Sequence, residues 1–320
     1  MITKLLLTPL SWDYGLITGF RNLLYDWSIL KIYHPGIPTI VVGNMIAGGT
    51  GKTPMVAWIA GNLSAKYRVA ILSRGYGRRT RGFQLVHKHS SPDAVGDEPL
   101  ELRLLLPEMT IAVDGNRKRG IQKLTSGDFG KIDLIILDDG FQHRQVKPGF
   151  AIVLDNVNRP MRKEKMFPAG LRREPLSSLK RADLIVETKK DISFIPEFPG
   201  SQVVLVTGIA DSKPLADEIA KKTTLYRHLT FADHHRYTNL DAATIRQAYE
   251  SCLAEQKTGP DPSSCIILTT GKDYVKLMRL PGLSDLPLYR IPAPPPVGRV
   301  EQIEIMKKID LYVEKTYRHS

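Results

Sequence analysis

The stretch PTIVVGNMIAGGTGKTPMVAWIAGNLSAK, residues 38–66, decides the fold. It runs from the β-branched segment Ile40–Val42 through a glycine-rich turn into a helical pattern from Met55 to Lys66. A short continuous apolar run of this kind reads as a buried parallel strand. The turn AGGTGKT at 47–53 stands between strand and helix, where a phosphate-binding loop belongs. There the backbone N–H groups face phosphate oxygens, and the helix N-terminus adds partial positive charge. Lys52 would reach the β and γ oxygens, and Thr53 would offer its hydroxyl to Mg²⁺. The strict pattern wants glycine at position 46, where Ile46 stands; Gly48, Gly49 and Gly51 remain to supply the unusual dihedrals. The nucleotide-binding set is therefore Ile46, Ala47, Gly48, Gly49, Thr50, Gly51, Lys52 and Thr53.

Further strands follow: RVAILS at 68–73, MTIAV at 109–113, DLIILD at 133–138 and FAIVLD at 150–155. Strands alternating with helical stretches imply βαβ units. The expected fold is α/β, a P-loop NTPase (RecA-like) core with a mostly parallel sheet over residues 1–155. A second series, DLIVET at 183–188, QVVLVTGIA at 202–210 and CIILTT at 265–270, predicts a smaller α/β domain over 156–297 with hinge connections. PAPPP at 292–296 is a stiff connector. Residues 298–320 return to helical periodicity and are free to pack back on the core. Near the start, Leu16, Ile17, Phe20, Leu23, Leu24, Trp27 and Leu30 recur at helical spacing over 14–31. Two readings stay open: a helix packed on the core, or an interfacial helix with Arg21 and Lys31 toward anionic lipid.

With 45 Lys+Arg against 33 Asp+Glu in 320 residues, the net charge of +12 asks for an acidic partner. Nucleic acid is set aside, because no RNP, zinc-finger or helix-turn-helix signature occurs. No apolar run reaches the roughly 18–20 residues that cross a bilayer, and the first residues lack a signal-peptide pattern. Two cysteines, Cys252 and Cys265, are too few for a disulfide framework and point to a reducing compartment.

IILDDG at 135–140 ends an apolar strand in two acids, as a Walker-B aspartate is presented. Asp138 and Asp139 are the metal-side candidates, Asp138 the stronger; a solvated strand end is the plainer alternative. A phosphotransferase also needs an acceptor base. GDEP at 96–99 offers Asp97 and Glu98, and FADHHRY at 231–237 offers Asp233, His234 and His235. Spacing alone leaves their pairing open. SRGYGRRTR at 73–81 holds four arginines, and 159–173 holds six basic residues against one acid. They are either solvated charge or a clamp for an anionic substrate.

Taken in order, VVGNMIAGGTGKTP, LSRGYGR, VGDEP, LDDGFQHR, PAGLRREP, ADLIVETK and FADHHRY over 41–237 resemble the tetraacyldisaccharide 4′-kinases of lipid A biosynthesis, and LTTGKDYVKL at 268–277 extends the match. The resemblance implies ATP-dependent phosphorylation of the 4′-hydroxyl of a tetraacylated, 1-phosphorylated glucosamine disaccharide, giving lipid IVA. It implies ATP and Mg²⁺ as cofactors, a phosphoglycolipid substrate, and peripheral or monotopic attachment to the anionic cytoplasmic face of the bacterial inner membrane, with no obligate protein partner. By the same resemblance Asp97 acts as base or base partner with His234, beside Lys52. Arg74, Tyr76, Gln142, His143, Arg173 and Glu174 contact substrate or transferring phosphate. The chain departs from the family in Arg172, which leaves Arg172 or Arg173 as the matched arginine, and in Gly271, where the family carries Glu. The rival reading is a P-loop GTPase or metallochaperone with TKKD at 188–191 as its guanine-reading motif. Against it, DDG at 138–140 lacks the D-x-x-G spacing of those switches.

Overall fold

The computed structural model describes residues 7–189, 195, 201–255 and 265–318. The first half of the chain forms α1 (Thr8–Asp26), β1 (Thr39–Asn44), α2 (Lys52–Leu63), β2 (Val69–Ser73) and β3 (Gln84–Leu85). Next come α3 (Pro92–Val95), α4 (Asp97–Leu105), β4 (Thr110–Val113), α5 (Arg117–Leu124), β5 (Leu134–Asp138), β6 (Phe150–Asn156) and β7 (Leu184–Thr188). The second half adds β8 (Gln202–Thr207), α6 (Lys213–Lys222), β9 (Thr224–Thr230), α7 (Asn239–Ala254), β10 (Cys265–Thr269), α8 (Gly271–Leu277), β11 (Leu288–Arg290) and α9 (Arg299–Arg318).

Seven strands form the first sheet in the order β3-β4-β2-β5-β1-β6-β7, parallel throughout except for β3. β1, β2 and β5 are buried along their whole length, as their unbroken apolar sequences require of strands covered on both faces. Each fully buried Ile, Val or Leu contributes about 1.5–3 kcal/mol. The second sheet, β11-β10-β8-β9, is parallel and carries its own apolar cluster around Val204, Val206, Ile245 and Ile267.

The boundary expected at 155/156 moves beyond Thr188. β7 pairs with β6 from Ile152↔Leu184 to Asn156↔Thr188 and so closes the core sheet. Left off, it would leave the backbone of β6 as an open edge. α9 returns to the core, with Ile305, Ile309 and Val313 in the cluster that holds Ile40 and Val42. The Tyr312 hydroxyl accepts from the Thr39 N–H at 3.0 Å.

α1 attaches the opposite way from a core helix. Its buried residues are Ser11, Asn22 and Tyr25, while Trp12, Leu16, Ile17, Phe20 and Trp27 are 59–72 % exposed. Ser11 Oγ accepts from Ala169 N at 2.9 Å, and Asn22 Nδ2 donates to Ser178 Oγ at 3.2 Å. The core-packing alternative for the stripe is thereby removed. The helix also starts six residues before the expected Tyr14, with Pro9 in its first turn, and stops before Ser28 at φ 59°. Among the described residues, no helix is long and apolar enough to cross a membrane. The two cysteines meet in the second domain as a Cys252–Cys265 disulfide, where too few cysteines for a disulfide framework had pointed to a reducing compartment.

Candidate active site

The P-loop is held from β1, from β7 and from the segment at Leu171–Arg172. Gly48 (φ 115°) and Gly51 (φ 80°) take the left-handed backbone that turns the chain into α2. Gly51 caps that helix, and a Cβ there would stand 2.7 Å from Pro296 Cγ in the proline connector. Asn44, at the end of β1, donates from Nδ2 to Thr50 Oγ1 at 2.8 Å, and Thr188 Oγ1 donates to Thr50 O at 3.1 Å. Ile46, odd for a P-loop, is buried and forms an antiparallel bridge with Arg172, and Ala47 N donates to Leu171 O at 2.9 Å. The loop thus starts as a strand pair, where a branched residue suits and glycine is unnecessary.

Lys52 and Thr53 open α2, and Lys52 Nζ lies 3.8 Å from Asp139 Oδ1. Arg173 Nη1 lies 3.1 Å from Asp139 Oδ2, while the Arg172 guanidinium turns to Met161 O. Arg173 is therefore the arginine that faces the acid. Asp138 and Asp139 diverge electrostatically. Asp139 is half-buried, and partial burial pushes its carboxyl up, but Lys52 and Arg173 outweigh that and hold it below the ordinary range. Asp138, 1 % exposed, is pushed up to about 7 by burial and by the charges of Glu98 and Asp139. Ser73 Oγ donates to Asp138 Oδ2 at 2.9 Å, whereas Asp138 Oδ1 is buried with no partner among the described residues. A carboxylate oxygen left over beside a phosphate loop suits a hard cation. Among the described residues no cluster of three or more His, Cys, Asp or Glu could hold a metal alone. Mg²⁺ does not need one, since it usually takes one or two carboxylates together with phosphate oxygens and water.

Asp97 is the first residue of α4, and it is buried. Gly96 before it has φ 95°, and a Cβ there would press to 2.9 Å on Tyr76 O. His234 Nδ1 meets Asp97 Oδ2 at 3.0 Å, so the two domains bring the pair together in this structure without further closure. Lys272 Nζ lies 2.7 Å from His234 Nε2 and 3.1 Å from Asp233 Oδ1. An ammonium only donates, so Nε2 accepts and the His234 proton sits on Nδ1, donated to Asp97. Lys276 Nζ stands 3.7 Å from Asp97 Oδ2 and 3.2 Å from Asp273 Oδ1. The hydrogen bond to Asp97 raises the His234 pKa above its ordinary value, against burial and Lys272. Burial pushes Asp97 up, but His234, Lys272 and Lys276 outweigh it and hold the carboxyl low.

The other expected contacts divide. Arg74 and Tyr76 are exposed, and the Tyr76 ring meets the His234 ring edge-on at 5.4 Å. His143 is kept neutral, pushed down to about 4 by burial and by Arg117, and its Nε2 has no partner among the described residues. Gln142 Nε2 is turned inward, donating to Asn44 O at 2.7 Å. Glu174 is buried and its carboxylate is committed to Arg181. Thr188 buttresses the P-loop through Thr50, and Lys190 and Asp191 of the TKKD motif lie outside the described residues. The sequence reading passed over Lys272, Lys276, Ser73 and Arg117. Arg117 is fully buried and donates to Asp114 O at 2.6 Å and Asp138 O at 3.1 Å, tying the ends of β4 and β5. Only the position of Arg117 after a strand end could have signalled it.

A family model described as tetraacyldisaccharide-1-P 4′-kinase matches residues 3–196. A tetraacyldisaccharide 4′-kinase of Parabacteroides distasonis is 36% identical over 322 residues, covering 87% of this chain and 85% of that protein. The Bacteroides thetaiotaomicron protein of the same name is 32% identical over 98% of this chain and 94% of its own. Among solved structures, the "apo" form of LpxK from Aquifex aeolicus in complex with ATP superposes with a TM-score of 0.75 at 27% identity, covering 97% of this chain and 99% of that one.

Proposed function

Since this chain belongs to the tetraacyldisaccharide-1-P 4′-kinase family and is a kinase, we propose that it transfers the γ-phosphate of ATP to the 4′-hydroxyl of a tetraacylated glucosamine disaccharide 1-phosphate, giving lipid IVA. One observation carries the residue assignment: the 3.0 Å hydrogen bond between Asp97 of the P-loop domain and His234 of the second domain. It forms an acceptor site on the kinase core, which a plain nucleotide hydrolase does not require.

The roles follow from donor and acceptor arithmetic. The backbone N–H groups of residues 48–53 bind the phosphates, and Lys52 supplies a cation where charge builds during transfer. Asp139 pairs with both Lys52 and Arg173, and arriving phosphate competes for the two cations. Thr53 and Asp138 Oδ1, which has no partner among the described residues, would hold Mg²⁺, which supplies charge neutralisation on the phosphates. Because His234 Nε2 is engaged by Lys272, Asp97 is the member of the pair with acceptor capacity left for the 4′-hydroxyl proton. His234 orients that carboxylate and shares its charge. Arg74, Tyr76 and His143 line the approach for the sugar and its phosphate.

Attachment to the cytoplasmic face of the bacterial inner membrane is part of the same proposal. Supporting it is the exposed face of α1, where Trp12, Leu16, Phe20 and Trp27 lie outward with Arg21 beside them. Mass spectrometry of phosphate transfer onto a purified lipid disaccharide tests the reaction. Phosphate on the lipid with ATP is the expected result; acceptor-independent GTP hydrolysis would restore the GTPase reading.

A further inference from the structure

Helices α4 and α8 pack against each other between the domains, and one buried acid of α4 has no place in the mechanism above. Glu101 lies one turn after Asp97, 8 % exposed. Its carboxyl group fills the space beside Gly271, the first residue of α8; a Cβ at 271 would collide with Oε1 and stand 2.7 Å from Cδ. The next residue is Lys272, whose ammonium holds His234 Nε2 at 2.7 Å. The charged groups facing Glu101 are Asp97 and Glu98 on its own helix, Lys272 on α8 and Arg290 at the end of β11. Lys272 and Arg290 of the second domain therefore face Glu101 and the two acids beside it on its own helix.

We propose that Glu101 is a positioning residue, whose carboxylate seats α8 and holds Lys272 against His234, and that position 271 must be glycine to admit it. The proposal rests on the reading of Asp97 and His234 as the acceptor base. Glu101 acts on that pair through the start of α8, where its carboxyl packs beside Gly271, and through its charge on Lys272. Burial, with Glu98, pushes its carboxyl up to about 7 against the pull of Arg290. Glu101 is neutral below that pH and ionised above it, so its attraction for Lys272 strengthens as pH rises.

The test is kcat and KM at pH 6 and pH 8 for Glu101→Gln, with Asp97→Asn alongside, on the full chain with ATP and lipid disaccharide. Glu101→Gln keeps shape and removes the charge. It should lower kcat at pH 8 roughly tenfold, one pKa unit of differential interaction, match wild type at pH 6, and leave the KM for ATP unchanged. A purely structural role would lower both pH values together. Wild-type kcat at both pH values, or equal losses at both, overturns the proposal. Loss in Asp97→Asn with Glu101→Gln silent removes only the positioning role, while an active Asp97→Asn removes the base reading and this proposal with it. Should Glu101→Gln not fold, Gly271→Ala displaces the same carboxyl. Lowered kcat at pH 8 that is suppressed in a Glu101→Ala background supports the seat; the same loss in both backgrounds overturns it.

Discussion

Removing Asp97 and His234 singly and together asks whether they act as one unit. The structure sets the expectation: one hydrogen bond of 3.0 Å joins them, and Lys272 occupies the other imidazole nitrogen. Asp97→Asn is the cleaner single variant, since it keeps an oxygen for the Glu98 N–H, now 3.1 Å from Oδ1. General-base positioning contributes roughly 10²–10⁴-fold. Taking the lower bound, each single loss is about 10²-fold, or about 2.7 kcal/mol of barrier. Independent roles would multiply to about 10⁴-fold, about 5.4 kcal/mol, in the double variant. A unit predicts a double variant hardly worse than the poorer single one. The pH profile adds a second reading. His234 must stay neutral to accept from Lys272, and Asp97 raises its pKa above the ordinary value. Wild-type kcat should therefore fall as pH drops through a point above about 6.5. Asp97→Asn removes the raising partner and leaves burial and Lys272, so its acid limb should move to lower pH. The assay is kcat for phosphate appearing on the lipid disaccharide in detergent micelles. Fully additive losses, or an acid limb that does not move, would refute the reasoning.

Three further outcomes are expected. Lys52→Ala should abolish transfer, whereas Thr53→Ala should recover in part with excess Mg²⁺, because one ligand is lost but the Asp138 oxygen remains; near-normal Lys52→Ala turnover sinks the P-loop assignment. Gly51→Ala places a side chain at φ 80° and 2.7 Å from Pro296 Cγ, at a cost of about 1–2 kcal/mol for the left-handed backbone plus about 1–3 kcal/mol for overpacking. A lower Tm and a raised KM for ATP should accompany it, and an unchanged Tm contradicts the contact. Phe20→Ser with Trp27→Ser should release the folded protein from anionic vesicles while sparing activity on a soluble acceptor; retained binding contradicts the interfacial role of α1.

How much of this was legible depended on whether the signal was local. The P-loop and the strand ending in Asp138 were, because a phosphate loop needs a strand, glycines and a helix in immediate succession. β7 was read as a strand but given to the wrong sheet. Its sequence DLIVET says buried, not beside which neighbour, and only the open edge of β6 decides that. β3, β9 and β11 escaped because edge strands with half-exposed faces, such as TLYRHLT, lack a continuous apolar run. α1 shows the limit of periodicity most clearly. A stripe at helical spacing fixes the helix and one apolar face, but the same stripe serves a core or a membrane surface. Its partners decide: Ser11 and Asn22 turn inward to Ala169 and Ser178, so the apolar face is the one left outside. The acceptor base follows the same rule. Asp97 and His234 are 137 positions apart, and nothing in either motif reaches the other. Lys272, which engages His234 Nε2 and on the proposed reading leaves Asp97 as the proton acceptor, comes from a third segment that reads as an ordinary helix start. Chemistry assembled across two domains is written in pairs of segments, and a single chain read end to end shows each half without its partner.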